Sequence, residues 1–128
     1  MNARANRETK LIVVIDDDPL VLEATAGLLQ SWGCKVVTAV SYPTAMQQLK
    51  NLGRPDLIVC DYHLHGSNGV EVIKHLRSAF EIPALLISGE AVPPTFDGKV
   101  VSGYHMLQKP LEPTRLRAAL VGASVLQT

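Results

Sequence analysis

The sequence lacks several features that would assign a chain to a functional class directly. Neither charge is in excess, since 12 Lys and Arg stand against 12 Asp and Glu, so no overall field attracts nucleic acid or acidic lipid. The apolar runs are too short to cross a membrane, and the N-terminus does not resemble a signal peptide. We therefore expect a cytoplasmic protein whose chain contacts neither nucleic acid nor membrane.

Cysteine is scarce as well. Cys34 and Cys60 are the only two, and each lies in or beside an apolar, strand-like run, which favours two buried thiols over a disulfide. The 128 residues are 47% apolar and 19% charged, a balance typical of one globular domain rather than a disordered chain. We expect a flexible lead-in over residues 1–9, a domain over 10–122 and a C-terminal tail over 123–128.

Short aliphatic or β-branched runs alternate with segments of helical periodicity. The runs cover residues 11–15, 35–39, 57–60, 84–87 and about 104–107, and the helical patterns follow Asp18, Ser41, Asn68 and Glu112. Such alternation predicts a parallel sheet covered by helices on both faces. Residues 90–102 hold two prolines and a glycine but no clear period, so we expect only a short, irregular or mobile helix there.

Polar residues collect where the predicted strands end. They are Asp16 and Asp17 after the first run, Asp61 after the third, Ser88 and Gly89 after the fourth, and Lys109 and Pro110 after the fifth. Ligands of open parallel sheets bind beyond these carboxyl ends. Each residue alone is more typical of a turn, a helix cap or a solvated charge, and only their combination predicts a site.

The combination suits phosphoryl transfer. Three carboxylates are oxygen ligands of the kind that Mg²⁺ prefers, and a carboxylate that is free of other duties can attack phosphorus. A hydroxyl and an ammonium can neutralise the transferred group. Asp18, followed by Pro19, is suited to cap the first helix instead of joining the site.

Four segments, VVIDDDP, PDLIVCDYHLHGSNGVEVI, PALLISGE and LQKPLEP, resemble the receiver domain of two-component response regulators. They are spread over about residues 11–120. The resemblance implies a flavodoxin-like (βα)5 fold, with a doubly wound, five-stranded parallel sheet of order 2-1-3-4-5. It also implies a phosphoprotein of phosphorelay signal transduction, with Mg²⁺ as cofactor and a histidine kinase or phosphotransfer domain as partner.

Residue roles follow from the resemblance. Asp61 is implied as the phosphoacceptor that forms an aspartyl phosphate. The implied Mg²⁺ ligands are Asp16, Asp17, Asp61 and the backbone carbonyl of His63. Ser88 and Lys109 are implied to contact the phosphoryl group, and the peptide bond before Pro110 is expected to be cis.

Other implied positions adjust the chemistry or the output. His63, Gly89 and Glu90 are expected to tune how fast the phosphoryl group is lost. Met106 occupies the position at which many receivers carry an aromatic switch residue, and we expect it to serve as core filler. The resemblance implies autodephosphorylation without turnover of an outside substrate, so the chain is not expected to be an enzyme in the usual sense.

Within the family, the sequence looks most like the C-terminal receivers of hybrid histidine kinases. A free-standing single-domain regulator is the alternative, and a weak homodimer is left open. No DNA-binding segment follows residue 122, so we expect no transcriptional output from this chain. Two other classes remain alternatives. One is a haloacid-dehalogenase-like phosphatase that would use Asp16 and Asp18, and the other is a degenerate receiver that serves only as an interaction module.

Overall fold

A computed structural model describes residues 9–64, 66–89, 95–96, 99–100 and 105–127. In chain order, its elements are β1 (Leu11–Ile15), α1 (Pro19–Ser31), β2 (Lys35–Ala39), α2 (Tyr42–Leu52), β3 (Leu57–Asp61), β4 (His63–Leu64), β5 (Ser67–Asn68), α3 (Gly69–Ala79), β6 (Ala84–Ser88), β7 (Thr95–Phe96), β8 (Lys99–Val100), β9 (His105–Gln108) and α4 (Pro113–Gly122). None of these helices is long and apolar enough to span a membrane.

Five of the strands form one parallel sheet in the order β2-β1-β3-β6-β9. Numbered among themselves along the chain, they run 2-1-3-4-5, so the predicted topology is confirmed. The order reverses beside β1, because the chain moves to one side for β2 and to the other for β3 and the strands after it. The carboxyl ends of β1 and β3 are therefore neighbours, which is where a ligand site of such a sheet is expected.

The core lies in two layers, one on each face of the sheet. Every residue of β1, β3 and β6 is buried, as expected for central parallel strands covered on both sides. Side chains alternate between the faces: Val13 packs with α2 and α3, whereas Ile12 and Val14 pack with α1 and α4. The second layer continues past Gly122, since Val125 is also buried in it.

Local sequence signals account for where three of the helices begin. Asp18 precedes α1, and its Oδ1 accepts a hydrogen bond from the N–H of Leu20 at 3.0 Å. Ser41 and Asn68 accept in the same way from Thr44 and Glu71 at the starts of α2 and α3. These side chains satisfy backbone donors that have no partner within the first helical turn.

The prediction for residues 90–102 is wrong where the structure describes them. We expected a short or irregular helix, but β7 and β8 pair as antiparallel strands, with Thr95 opposite Val100 and Phe96 opposite Lys99. Three of these four residues have high strand propensity. In the sequence they flank Asp97-Gly98, a dipeptide that favours two-residue hairpins. That signal outweighs the proline content that guided the prediction.

Replacing Asp18 tests whether it serves the helix rather than the polar site. We expect Asp18→Ala to lower the free energy of unfolding by about 1 kcal/mol, because the cap of α1 is lost. Asp18→Ser should retain most of that stability, since serine also accepts the capping hydrogen bond. Chemical denaturation of both variants measures the difference. An Asp18→Ser protein as unstable as Asp18→Ala would contradict a capping role.

Candidate functional site at the carboxyl edge of the sheet

The structure brings the polar residues predicted from the sequence to one edge of the sheet. Asp61 and Ser88 are the last residues of β3 and β6, Asp16 and Asp17 follow β1 directly, and Lys109 follows β9. Asp16, Asp61 and Ser88 are buried, with 4%, 6% and 1% of their surface exposed. Buried carboxylates need compensating partners, and the neighbouring cation supplies part of that compensation.

Lys109 is that cation. Its Nζ lies 3.2 Å from Oδ2 of Asp61 and 3.8 Å from Oδ2 of Asp16. The lysine side chain is 35% exposed, whereas the two carboxylates are almost fully enclosed. One ammonium thus faces two buried acids, with a third, Asp17, close to both. Three carboxylates thus lie together, and Lys109 forms ion pairs with two of them.

The pKa of the Asp16 carboxyl is affected by its burial and by the nearby carboxylates. Burial raises the pKa of its carboxyl above the ordinary aspartate value, and the nearby charges of Asp61 and Asp17 raise it further. Two contacts oppose these effects on the pKa: the N–H of Asp18 donates to Oδ1 of Asp16 at 2.9 Å, and Lys109 lies nearby. The net shift is upward, so the site as described holds the charged form of Asp16 at an energetic cost.

The acidic cluster has dimensions that suit a small divalent cation. Asp16, Asp17 and Asp61 each offer a carboxylate oxygen, and these atoms all lie within 4.8 Å of one another. Octahedral Mg²⁺ with ligands at about 2.0–2.1 Å places opposite ligand oxygens about 4 Å apart. The three residues therefore fit the ion with small side-chain adjustments, and a hard cation matches an all-oxygen donor set.

The other side of the site is built by β6 and β9. The backbone N–H of Lys109 donates to the carbonyl oxygen of Ser88 at 2.7 Å, which continues the pairing of the two strands past their ends. The following peptide bond, Lys109–Pro110, is cis. Ser88 and Lys109 are therefore held next to each other by backbone contacts, on the side of the site that also contains the Asp61 carboxylate.

A short hairpin follows Asp61 in the chain. Strands β4 and β5 pair His63 with Asn68 and Leu64 with Ser67. The His63 side chain is exposed, and its ring meets that of Tyr62 edge-on at 4.8 Å between centroids. Gly89, also predicted to tune the site, is exposed after β6. Glu90, the remaining tuning residue, lies outside the described residues.

Met106 does not join the polar site. It lies in β9 opposite Leu86 of β6 and is partly buried against the core layer that contains α2 and α3. This placement agrees with a packing role, although its part in any output stays a prediction.

Sequence reasoning missed the residue that lies behind the acceptor position. Gly69 was recognised only as the start of a helix, but its Cα lies so close to β3 that a Cβ there would be 2.5 Å from the carbonyl oxygen of Asp61. A helix-starting glycine carries no signal of such contact, since the approach depends on how the helix packs on the sheet.

Comparison with known proteins agrees with this geometry. Residues 12–121 match the family described as the response regulator receiver domain, and the chain belongs to that family. Among curated relatives, the two-component response regulator ARR17 of Arabidopsis thaliana is 27% identical over 79% of this chain and 76% of that protein. The probable transcriptional regulatory protein TcrX of Mycobacterium tuberculosis is 30% identical over 91% of this chain, but this covers only 52% of that protein.

Solved structures are similar in fold. The chemotaxis protein CheY4 of Vibrio cholerae superposes with a TM-score of 0.78 at 26% identity, covering 90% of this chain and 98% of that one. A two-component response regulator from Clostridium difficile gives a TM-score of 0.76 at 21% identity, covering 91% of this chain and 96% of that one. At 21% identity, the similarity to the Clostridium difficile structure supports the fold alone.

The raised pKa of Asp16 gives a prediction about stability. Between the unfolded and folded pKa values the folded protein binds more protons at Asp16, so the free energy of unfolding falls as pH rises through that interval. Without Mg²⁺, Asp16→Asn should remove this cost and raise the free energy of unfolding at pH 7 by about 1 kcal/mol. The gain should vanish below the ordinary aspartate pKa of about 3.9.

Denaturant titrations at several pH values, with Mg²⁺ chelated, measure this effect. Glu23→Gln on the exposed side of α1 is the control and should change stability little at any pH. An Asp16→Asn protein that is less stable than the wild type at pH 7 would show that Asp16 contributes more through its contacts than it costs through its charge.

Proposed function

We propose that this receiver domain takes a phosphoryl group from a phosphohistidine onto Asp61, in a reaction that depends on Mg²⁺, and acts as a signalling switch. One observation carries the proposal. The Nζ of Lys109 lies 3.2 Å from Oδ2 of Asp61, inside a cluster of three carboxylates whose oxygens are within 4.8 Å of one another. The proposed nucleophile, a neighbouring cation and three candidate metal ligands thus lie close together.

Asp61 is the acceptor that the contacts favour. Asp16 uses Oδ1 to accept the N–H of Asp18, and Asp18 caps α1. Asp61 ends a buried strand and has Lys109 against one carboxylate oxygen. In the proposed step an oxygen of Asp61 forms a bond to phosphorus while the phosphorus–nitrogen bond of the donor histidine breaks. The electron pair of that bond stays on the imidazole nitrogen.

The surrounding residues would stabilise the transferred group. Lys109 can follow the charge from the carboxylate to the phosphoryl oxygens, since its side chain reaches in from a partly exposed position. Ser88 lies beside it on β6 and supplies a hydroxyl. Fixed donors aimed at developing charge are the usual source of catalysis in phosphoryl transfer.

Asp16, Asp17, Asp61 and the backbone carbonyl of His63 would hold Mg²⁺. The bound ion would neutralise charge on the phosphoryl oxygens and on the crowded carboxylates. Without it, the donor's negative phosphoryl group would approach a cluster that is itself negative, which electrostatic repulsion opposes. This is the physical reason for proposing that the reaction requires the ion.

Loss of the phosphoryl group completes the switch. Water attacks phosphorus, the bond between phosphorus and the Asp61 oxygen breaks, and inorganic phosphate leaves with the carboxylate restored. We propose that the chain turns over no outside substrate, so it is a self-phosphorylating receiver rather than an enzyme. A phosphatase that uses Asp16 and Asp18 is disfavoured, because Asp18 is exposed and its carboxylate caps α1.

We propose a cytoplasmic setting and a histidine kinase or phosphotransfer domain as donor. The assignment to a hybrid histidine kinase rests on the resemblance of the sequence to the C-terminal receivers of such kinases. A free-standing regulator is the alternative. The match covers 76% of ARR17 and 52% of TcrX. The chain spans about half the length of the latter.

Intact mass spectrometry tests the proposed chemistry. Incubation with acetyl phosphate and Mg²⁺ should add one labile phosphoryl group to the wild-type chain. The adduct should be absent without Mg²⁺ and in Asp61→Asn, a nearly isosteric control that removes the nucleophile. An adduct that persists in Asp61→Asn would contradict the assignment of Asp61. A folded wild type that gains no mass from acetyl phosphate or from a phosphohistidine donor would contradict the function.

Replacing His63 tests its predicted influence on phosphoryl loss. Its side chain is exposed, so His63→Ala should change the free energy of unfolding by less than about 0.5 kcal/mol. We expect the half-life of the phosphorylated protein to change at least severalfold, because His63 is only two residues past the proposed acceptor, Asp61. Decay of the adduct, followed by mass after donor removal, measures this. An unchanged half-life would rule out the tuning role.

A further inference from the structure

Gly69, which has no side chain, lies against the backbone of the proposed phosphoacceptor, Asp61. Gly69, the first residue of α3, is buried, and a Cβ on it would lie 2.5 Å from the Asp61 carbonyl oxygen. The same Cβ would lie 2.7 Å from Cδ2 of Leu86 and 3.0 Å from Cα of Tyr62. Two of these three atoms belong to the backbone, so no side-chain rotation could make room for a methyl group.

Space, and not backbone conformation, is what requires a glycine here. The glycines with positive φ among the described residues are Gly33, Gly53 and Gly66, and Gly69 is not one of them. An alanine at position 69 would therefore meet no intrinsic backbone strain. Its effect would therefore report the close contacts around the Cα of Gly69 rather than strain in its own backbone.

Gly69 also closes the loop that follows the acceptor. Its N–H donates to the carbonyl oxygen of Tyr62 at 2.8 Å, directly beneath the β4–β5 hairpin. The loop from Asp61 to Gly69 is thus fastened at its base by one hydrogen bond and one close backbone contact. It carries His63, whose carbonyl is among the proposed metal ligands.

The opposite side of the acceptor is fixed by the sheet. Asp61 is in register with Ile87 of β6, and the N–H of Tyr62 donates to the carbonyl oxygen of Ile87 at 2.8 Å. The end of β3 is therefore held between β6 and the start of α3. A methyl group inserted at Gly69 must displace either the helix or the backbone of the acceptor.

We propose that Gly69 is a positioning residue for phosphoryl transfer: the close contact of its Cα with the Asp61 carbonyl sets the spacing between the acceptor carboxylate and the His63 carbonyl. The inference rests on the proposed function of the site. Gly69 touches neither donor nor metal, and it acts through the backbone of Asp61. A displacement of about 1 Å in such a site can lower a rate by about 100-fold.

The test compares Gly69→Ala with matched variants, using two readouts that a purely structural residue would leave unchanged. The first is the Mg²⁺ dissociation constant of the unphosphorylated protein, measured by titration. The second is the rate of phosphorylation by acetyl phosphate at saturating Mg²⁺. We expect Gly69→Ala to weaken Mg²⁺ binding and to slow phosphorylation, each by about tenfold or more.

Two variants serve as controls. Ile73→Val shortens a fully buried side chain of the same helix and should lower stability without changing either readout. Gly27→Ala adds a methyl group in α1 where no atom lies within 4 Å, and it should stabilise the protein by improving helix propensity. If Gly69→Ala alone does not fold, the measurements are made in the Gly27→Ala background.

A third variant separates the side-chain contact of the added methyl group from its two backbone contacts. Leu86→Val removes the Cδ2 atom but leaves the Asp61 carbonyl in place, so Gly69→Ala with Leu86→Val should retain the Mg²⁺ and rate defects. Recovery of both readouts in the double variant would overturn the inference, as would a folded Gly69→Ala protein with wild-type values. A wild type that binds Mg²⁺ but takes no phosphoryl group would contradict the proposed function, and the Mg²⁺ affinities would still decide the role of Gly69.

Discussion

The site depends on three carboxylates that the sheet holds close together at its carboxyl edge. Asp16, Asp17 and Asp61 share a space only 4.8 Å across, and the ammonium of Lys109 reaches two of them. Burial raises the pKa of the Asp16 carboxyl, and the nearby charges of Asp61 and Asp17 add to the effect. The energetic cost of burying these carboxylates arises at one edge of the sheet. Apolar side chains packed in two layers, one on each face of the sheet, stabilise the fold. Such a cluster favours the binding of a cation, or a reaction that reduces its negative charge.

Parallel strands are the means by which the residues meet. Each contributes its polar group just where its hydrogen-bonded ladder ends, and the order β2-β1-β3-β6-β9 makes β1 and β3 direct neighbours. The same backbone that supplies the groups also fixes them: Lys109 is tied to Ser88 through its N–H, and Asp61 is held between Ile87 and Gly69. Main-chain contacts thus hold these groups in place, whereas His63 and Gly89 are exposed.

The sequence was sufficient to predict those features that depend on local patterns. The central strands, the caps at Asp18 and Ser41, and the grouping of acids at strand ends all follow from periodicity and from the rule that ligands bind at carboxyl edges. Features that arise from packing between distant segments could not be predicted, such as the approach of Gly69 to Asp61. The β7–β8 pairing differs from the prediction for another reason. Two prolines in the segment argue against regular structure, but strand propensity and an Asp-Gly dipeptide favour a hairpin, and these outweigh the prolines.

Whether Asp16, Asp17 and Asp61 bind a divalent cation is tested most directly by the stability of the wild type as Mg²⁺ is added. The account predicts that the free energy of unfolding rises with ion concentration as RT ln(1 + [Mg²⁺]/Kd), or by about 2.7 kcal/mol at 100 times Kd. Asp17→Asn, which keeps the shape of the side chain, should lose most of that gain. A wild type whose stability is the same with and without Mg²⁺, in a background of constant ionic strength, would contradict the account.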